Sequence, residues 1–190
     1  PMGAFWKRLF DILGALLALL IFSPAMLVIA LAVKLTSRGP IFYGQVRMGL
    51  DGSTFKMWKF RSMRLDAEIE TGAVWAKKND DRRTPIGAFL RSTSLDELPQ
   101  FWNVLVGEMS LVGPRPVVPE ETAYYGPYLE LVQSLRPGLT GLWQVSGRSN
   151  LDFDSLVRLD FYYLESWSIW MDIAIIARTP LAIARGRGAY

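Results

Sequence analysis

The chain has 190 residues, of which 51% are hydrophobic, and it carries a formal net charge of +3. It contains no cysteine and no histidine, which excludes disulfides, thiol chemistry, Ser-His-Asp and Cys-His nucleophile systems, and the usual zinc sites. The length suffices for one domain with a proper core, and the charge is too small to indicate a nucleic-acid partner.

The first predicted element is a hydrophobic segment from Ile12 to Val33, which is 22 positions without a charge. A straight helix of that length would be about 33 Å long, which matches the hydrocarbon core of a bilayer. A secretory signal peptide is disfavoured because the run is long and basic residues follow it. The chain also has seven Trp, seven Tyr and ten Phe, a content typical of membrane interfaces as well as cores. The segment therefore predicts a membrane anchor.

Ser23-Pro24 stands at the centre of this segment. A proline there removes one helical hydrogen bond and predicts a bend. Basic residues flank both sides, which places both ends at the cytoplasmic face: Lys7 and Arg8 before, Lys34, Arg38 and Arg47 after. Two half-helices of about 16 Å, joined at the kink, would enter one leaflet and return. A kinked helix that spans the bilayer is equally compatible with these residues, so both topologies stay open.

Two strands are predicted next, from Ile41 to Met48 and from Thr54 to Phe60. Asp51-Gly52 between them is a strong hairpin signal. Lys59 lies near the end of the second strand and points to the same side as Met57, two residues earlier. From the residues alone, Lys59 is either a site residue or an ordinary exposed lysine.

A polar stretch from Arg64 to Arg83 follows, and it is long for a structureless connection. It is therefore expected to be functional or to contain a short helix. Thr84-Pro85 then opens a short helix, with the threonine as cap and the proline at the first helical position. That helix is predicted to end at Arg91.

Asp96 and Glu97 are two adjacent carboxylates at the predicted start of the next helix. Ser94 and Glu97 have the spacing of a capping box. The positive end of a helix dipole favours ionised carboxylates and can also hold a phosphate. The alternative is a plain capped helix with a solvated acidic first turn.

Arg115 is framed by two prolines in Gly113-Pro114-Arg115-Pro116, which stiffens the backbone and favours extended geometry. A fixed guanidinium suits bidentate phosphate binding, although a surface turn would have the same sequence. A helix is predicted from Glu120 to Leu135. Glycine-rich turns are predicted beyond it, in the segments Arg136–Gly141 and Gln144–Arg148.

Two more helical segments close the chain, from Asp152 to Trp167 and from Trp170 to Ile183. Pro180 is expected to break the second one. Neither segment is long and uncharged enough to span a membrane. They are either core helices or amphipathic helices lying in the membrane interface.

These motifs occur together in a fixed order along the chain. The ordered set is Ser23-Pro24, Lys59-Phe60-Arg61-Ser62-Met63, Ser94–Gln100, Gly113–Pro116, Arg136-Pro137-Gly138, Thr140-Gly141 and Gln144–Arg148. Over nearly its whole length the chain resembles the monotopic phosphoglycosyl transferases, or bacterial sugar transferase family. The resemblance implies transfer of a hexose 1-phosphate from a UDP-sugar to undecaprenyl phosphate, releasing UMP. It also implies a covalent phosphosugar–enzyme intermediate and a need for Mg²⁺.

The resemblance also implies roles for individual residues. Asp96 matches the nucleophile, Glu97 the magnesium ligand, and Lys59 the essential lysine of the strand. Arg91 and Arg115 match phosphate-binding arginines, and Asp160 matches a further essential acid. Gln144 and Arg148 lie in a motif expected to line the nucleotide side.

We therefore expect an α/β membrane-associated protein with a re-entrant kinked helix-turn-helix anchor over residues 1–38. Residues 39–190 are expected to form one catalytic unit, with a small β-hairpin or sheet and several interfacial amphipathic helices. The expected location is the cytoplasmic face of the bacterial inner membrane, at the start of O-antigen, capsule or exopolysaccharide assembly. The expected partners are a UDP-sugar, undecaprenyl phosphate and the bilayer, with no nucleic acid; a homodimer is one expected assembly.

Gly72–Ala76, Asn79-Asp80 and the Gly188-Ala189-Tyr190 end resemble members that transfer glucose or galactose phosphate. Those members often carry an extra N-terminal membrane region, so the chain is expected to be either a naturally short form or a catalytic region of a longer protein. Two other functions stay open: a metal-dependent hydrolase of UDP-sugars, and a membrane scaffold without enzymatic activity.

Overall fold

The structure is a computed structural model that describes residues 2–65, 67, 81–147 and 152–184. The described residues are rich in helix and include two small sheets, which agrees with the mixed class expected. The helices are α1 (Met2–Thr36), α2 (Gly87–Ser92), α3 (Gln100–Val106), α4 (Thr122–Tyr125), α5 (Leu129–Gln133), α6 (Leu142–Ser146), α7 (Phe153–Ser166) and α8 (Ile169–Ala184). The strands are β1 (Phe42–Met48), β2 (Thr54–Phe60), β3 (Ser110–Val112) and β4 (Gly138–Thr140).

The hydrophobic segment forms one helix, α1, in which the helical conformation continues through Pro24. The structure thus has a single helix where two half-helices joined by a turn are predicted. Proline removes only one donor, so helical bonding resumes beyond it. Within the described part of the chain, Gly3–Thr36 is the stretch long and apolar enough to cross a membrane, and 18 consecutive residues in it have a mean hydropathy of 2.8. The re-entrant course stays a prediction.

Both ends of α1 are fastened to the same folded unit. Near the first end, Lys7 Nζ lies 2.6 Å from a carboxylate oxygen of Asp172 in α8. Just beyond the other end, Arg61 donates to the carbonyl of Ser37 at 3.1 Å. Between them, every residue from Leu20 to Ala25 is exposed. The middle of α1 is therefore the part least covered by protein.

Strands β1 and β2 pair antiparallel, which confirms the predicted hairpin. Tyr43 stands opposite Lys59 in the register. Asp51 and Gly52 in the connection have φ values of 53° and 73°. The left-handed conformation of both residues explains why Asp-Gly is favoured there.

A second sheet pairs β3 with β4 in parallel, and it was not predicted. The segment that contains Gly138 was expected to be a turn, whereas it is a strand. A Cβ at Gly138 would lie 2.1 Å from the backbone nitrogen of Gly113. Glycine is therefore required by the close approach of two backbones.

Of the last three predicted helices, one is wrong, one is confirmed except for its expected break at Pro180, and one is confirmed. The segment from Glu120 to Leu135 is not one helix, because Gly126 interrupts it with φ 49° and ψ −129°. Helix α8 continues past Pro180 to Ala184, because a proline removes one donor and helical hydrogen bonding can resume beyond it. Helix α7 follows the prediction closely and begins after Asp152, whose side chain accepts from the Ser155 N–H.

In the described part of the chain, three apolar clusters form the core, and α1 contributes to two of them. Ala15 packs with β2, α3 and β3, while Ile29 and Val33 pack with Phe60 and Leu90. The third cluster joins the segment after β3 to α5 and α7. Because α1 shares cores with the elements that follow it, its position helps to fix the position of β2 and the residues after it.

Candidate active site

A cavity of about 520 Å³ opens beside the hairpin. It is walled by both strands of the hairpin, by the segment after β2, by the end of α2, and by residues 115–124. Its polar and aromatic lining residues include Tyr43, Gln45, Arg47, Lys59, Arg61, Arg64, Arg91, Arg115, Glu120, Glu121 and Tyr124. Among the described residues of this lining, cationic side chains outnumber acidic ones, which suits an anionic ligand.

Lys59 and Glu97 meet in an ion pair, with Nζ 2.8 Å from Oε1. They are far apart in sequence, and the fold joins the end of β2 to the segment before α3. Both side chains stay partly exposed, at 24% and 30%. The structure thus brings together two residues that the sequence assigned to one site.

Asp96 lies in a single turn of 3-10 helix, Leu95–Glu97, and not at the N-terminus of a regular helix. Ser94 precedes that turn with φ 56°, and its side chain makes no capping hydrogen bond. The predicted capping box is therefore wrong. The left-handed backbone at Ser94 turns its side chain away from the geometry of an N-cap, and α3 begins only at Gln100.

The Asp96 side chain is almost completely buried, with 5% of the residue exposed. Burial raises the pKa of Asp96 to about 6, although the positive charges of Lys59 and Arg91 work in the opposite direction. We expected a helix dipole to favour the ionised form, so this direction is a correction. Its reason is that one helical turn supplies little dipole field, whereas burial penalises the charge strongly.

Arg91 lines the cavity from the end of α2. That helix begins where predicted to within a few residues: the Gly87 N–H donates to Thr84 Oγ1 at 3.0 Å. The hydroxyl of Thr84 thus accepts from the first N–H of α2, and the helix carries Arg91 to the cavity.

Arg115 lines the cavity from the segment after β3 and forms a bidentate ion pair with Glu121. Burial lowers the pKa of Arg115, but the carboxylate of Glu121 outweighs it and the net direction is upward. The Arg47 side chain donates to the Pro116 carbonyl at 2.8 Å, which holds the loop around Arg115 from β1.

Asp160 lies behind the Arg115 loop and does not line the cavity. It is 2% exposed, and one carboxylate oxygen is 3.4 Å from the Arg115 backbone nitrogen. Burial raises the pKa of Asp160 to about 7. This placement suits positioning of the loop better than contact with a substrate.

Gln144 lies in α6 and donates to the Leu139 carbonyl at 3.2 Å, while its amide oxygen is buried without a partner. It is not among the residues that line the cavity. Arg148 lies outside the described residues, as do Gly72–Ala76, Asn79-Asp80 and the Gly188-Ala189-Tyr190 end. Lys59, Arg91 and Arg115 therefore line one cavity, and Glu97 adjoins it through its ion pair with Lys59. Asp96 and Gln144 are not among the lining residues, although the charges of Lys59 and Arg91 act on Asp96.

Tyr43, Gln45 and Arg47 line the cavity from β1 and were not predicted as site residues. They occupy alternate positions, and Tyr43 pairs with Lys59 across the hairpin. Alternation along a strand places such residues on one face. Applying that period to β1, as was done for β2, would have found them.

The carboxylates near the cavity bear on magnesium binding. The described residues contain no group of three or more Asp, Glu, His or Cys side chains that could hold a metal ion by themselves. Mg²⁺ is commonly bound by one or two carboxylates together with substrate phosphates. Glu97, with 30% of its side chain exposed beside a cationic cavity, fits that kind of site.

Comparison with known proteins gives a family match along the chain. The sequence model of the family described as bacterial sugar transferase matches residues 2–186. The chain is 43% identical over 204 residues to the exopolysaccharide production protein ExoY of Rhizobium meliloti, covering all of this chain and 90% of ExoY.

Two longer relatives are similar to the same degree. The undecaprenyl-phosphate galactose phosphotransferase of Salmonella typhimurium is 44% identical over 201 residues, covering 98% of this chain and 42% of that protein. The UDP-glucose:undecaprenyl-phosphate glucose-1-phosphate transferase of Klebsiella pneumoniae is 46% identical over 193 residues, covering 97% of this chain and 41% of that protein. The chain thus spans less than half the length of these two relatives.

Proposed function

The chain belongs to the bacterial sugar transferase family, and from that premise we propose that it transfers a hexose 1-phosphate from a UDP-sugar to undecaprenyl phosphate. The observation that carries the proposal is the ion pair of Lys59 and Glu97, 2.8 Å apart, beside Asp96 and a cationic cavity. The names of the relatives, which act on glucose and galactose phosphates, supply the substrate class. Such a transfer would begin the assembly of a bacterial polysaccharide.

Asp96 is the proposed nucleophile. One carboxylate oxygen would form a bond to the phosphorus that bears the sugar, and the P–O bond to UMP would break. A phosphate oxygen of undecaprenyl phosphate would then bond to the same phosphorus, and Asp96 would leave as a free carboxylate. With a pKa of about 6, Asp96 is mostly ionised at pH 7, as attack requires.

The burial of Asp96 sets a condition on this role. A phosphorus atom must reach one carboxylate oxygen, yet only 5% of the residue is exposed. Binding of substrate would therefore have to move neighbouring side chains. The pair of Lys59 and Glu97 is the candidate, because the Lys59 ammonium would gain a phosphate partner from the diphosphate and the Glu97 carboxylate would gain the Mg²⁺ that accompanies it.

The cations of the cavity would balance the charge of the substrate. Lys59, Arg91 and Arg115 line it from three different elements, so a diphosphate could be contacted from several sides. Glu97 is the proposed magnesium ligand, and a bound Mg²⁺ would neutralise part of the diphosphate charge. Asp160 would keep Arg115 in place by accepting a hydrogen bond from the Arg115 backbone N–H.

The assay mixes the protein with UDP-glucose or UDP-galactose, undecaprenyl phosphate and Mg²⁺, and follows UMP. Release that depends on the lipid supports the transferase. Release without lipid indicates a hydrolase, and no release indicates a scaffold. Asp96→Asn should abolish both transfer and covalent trapping of a labelled phosphosugar. Asp51→Asn is the matched control, because Asp51 is exposed in the hairpin turn and asparagine tolerates its φ of 53°.

For α1 we propose the re-entrant topology, with the site at the cytoplasmic face of the inner membrane. The support is that both ends of α1 bind one folded unit while the middle, around Pro24, is exposed. A straight helix crossing the bilayer would carry one of these ends, with its bound unit, to the far side. Interfacial helices α7 and α8 belong to the same proposal: Tyr162 and Trp170 are 55% and 75% exposed.

Cysteine labelling tests this topology, because these 190 residues contain no cysteine. Ala4→Cys and Leu35→Cys place single thiols at exposed positions near the two ends of α1. In inverted and right-side-out vesicles, both should react with an impermeant reagent from the cytoplasmic side. Reaction of the two thiols from opposite sides would exclude a re-entrant helix. A homodimer stays a prediction.

A further inference from the structure

We propose that Arg47 of β1 is a further phosphate-binding residue of the cavity, acting beside Arg115 on the phosphate of a bound substrate. This inference rests on the proposed function for the identity of the ligand, but its first test does not depend on catalysis. The evidence lies in the position of Arg47, its hydrogen bonds and its charge neighbours.

The position of Arg47 follows from the hairpin. It lies on the same face of β1 as Tyr43 and Gln45, and Tyr43 is opposite Lys59. All of these residues line the cavity. Arg47 thus lines the same cavity as Lys59 and Arg115, two residues of the proposed reaction.

Arg47 keeps hydrogen-bonding capacity that the described chain does not use. One terminal nitrogen donates to the Pro116 carbonyl at 2.8 Å, and the other donates to Gln45 Oε1 at 2.7 Å. A guanidinium has five N–H donors. The Nε atom is buried without a hydrogen-bond partner. An oxygen-rich anion would supply acceptors for the remaining donors.

The charge of Arg47 is not neutralised by an ion pair within the described chain, unlike the charges of Lys59 and Arg115. Its two hydrogen bonds go to a carbonyl and an amide, which carry no charge. Burial, together with the like charge of Arg115, lowers the pKa of Arg47 to about 10. The Arg47 side chain is still protonated at neutral pH, so it is a buried cation. A bound anion would offset the free-energy cost of burying that charge.

A purely structural role is the alternative, because the bond to Pro116 also holds the Arg115 loop. The two roles predict different anion affinities for the Arg47→Lys variant. Lysine keeps the positive charge but has no planar fork. If Arg47 binds an anion, lysine restores part of the affinity; if Arg47 only clamps the loop, charge alone restores nothing.

The first test measures binding of inorganic pyrophosphate to the purified protein in detergent micelles by calorimetry. Arg47→Gln should weaken binding by about tenfold to a hundredfold, which corresponds to a lost charge-assisted interaction. Arg47→Lys should fall between the wild type and Arg47→Gln. Arg158→Gln is the matched control: Arg158 is exposed on α7, and its loss should change affinity by less than about twofold.

Three results would overturn the inference. They are affinity of Arg47→Gln within about twofold of wild type, affinity of Arg47→Lys no better than that of Arg47→Gln, and no pyrophosphate binding by the wild type. Circular dichroism verifies that each variant is folded. If Arg47→Gln does not fold, Arg47→Lys alone decides, and complete loss of pyrophosphate binding in folded Arg47→Lys overturns the inference. Because this measurement needs no turnover, it is separable from failure of the proposed function, which shows as absent lipid-dependent UMP release.

A second measurement identifies the source of the phosphate in an active enzyme. If KM for the UDP-sugar rises in Arg47→Lys while KM for undecaprenyl phosphate does not, Arg47 binds the nucleotide diphosphate. The reverse pattern assigns Arg47 to the lipid phosphate. A fall in kcat with both KM values unchanged would contradict a role in binding either substrate.

Discussion

The burial of Asp160 predicts how the free energy of unfolding changes with pH, both in sign and in size. The residue is 2% exposed, and its pKa is raised from an ordinary 3.8 to about 7. In the unfolded chain Asp160 loses its proton near pH 4, whereas in the folded chain it keeps the proton until about pH 7. Stability contributed by the neutral form is therefore lost as pH rises through this window. Asp160→Asn removes the ionisation and keeps the size.

The magnitude follows from the interval between the two pKa values. At about 1.4 kcal/mol for each pH unit, ionising the buried carboxyl costs about 4 kcal/mol in total. Part of that cost is already present at pH 5, because the Asp160 carboxyl is ionised in the unfolded chain at that pH. Between pH 5 and pH 8, the stability of Asp160→Asn relative to wild type should therefore increase by about 2 to 3 kcal/mol.

The assay is urea unfolding in detergent micelles, followed by tryptophan fluorescence at several pH values. Asp96 also has a raised pKa, but it is present in both proteins and cancels in the difference. Asp152→Asn is the control on the same helix. Asp152 accepts a hydrogen bond from Ser155, which lowers its pKa, so it stays ionised above pH 5 in both states. A difference for Asp160→Asn that is flat from pH 5 to pH 8 would refute the reasoning.

Three further predictions concern the core, the second sheet and the site. Leu90→Ala should destabilise the fold by about 2 to 5 kcal/mol in chemical unfolding, because Leu90 is fully buried; Phe89→Ala, at a 57% exposed position, should cost far less. Gly138→Ala should prevent pairing of β3 with β4 and abolish UMP release, since its Cβ would lie 2.1 Å from Gly113 N; activity like that of the wild type would contradict this. Lys59→Gln should lower lipid-dependent UMP release by about a hundredfold or more, whereas Lys56→Gln, on the exposed face of the same strand, should leave it nearly unchanged.

The hairpin and the second sheet show which pairings of strands a local sequence signal can predict. Asp51-Gly52 predicts the turn because only a few residues adopt positive φ without strain, so β1 and β2 were placed almost to the residue. The second sheet has three residues in each strand. Strands of that length show no alternation, and their pairing depends on contacts between distant segments, so no local pattern could predict it.

Asp96 shows where a local interpretation fails. The Ser94-x-x-Glu97 spacing is that of a capping box, but the left-handed backbone at Ser94 cancels the cap. Burial then moves the pKa of Asp96 upward, against the direction expected from a helix dipole. Burial is a property of the packed chain, and no pattern within a short window reports it.

The sequence by itself determined the apolar anchor, the hairpin and the order of the motifs, because these depend on composition, turn residues and short periodic patterns. Only the tertiary structure decided that Lys59 meets Glu97, that Asp160 lies behind Arg115, and that Arg47 lines the same cavity as Lys59 and Arg115. The physical reason is that charge pairing and burial act across space between residues far apart in the chain. Their outcome is fixed only when the cores built by α1, β2 and α3 bring those residues together.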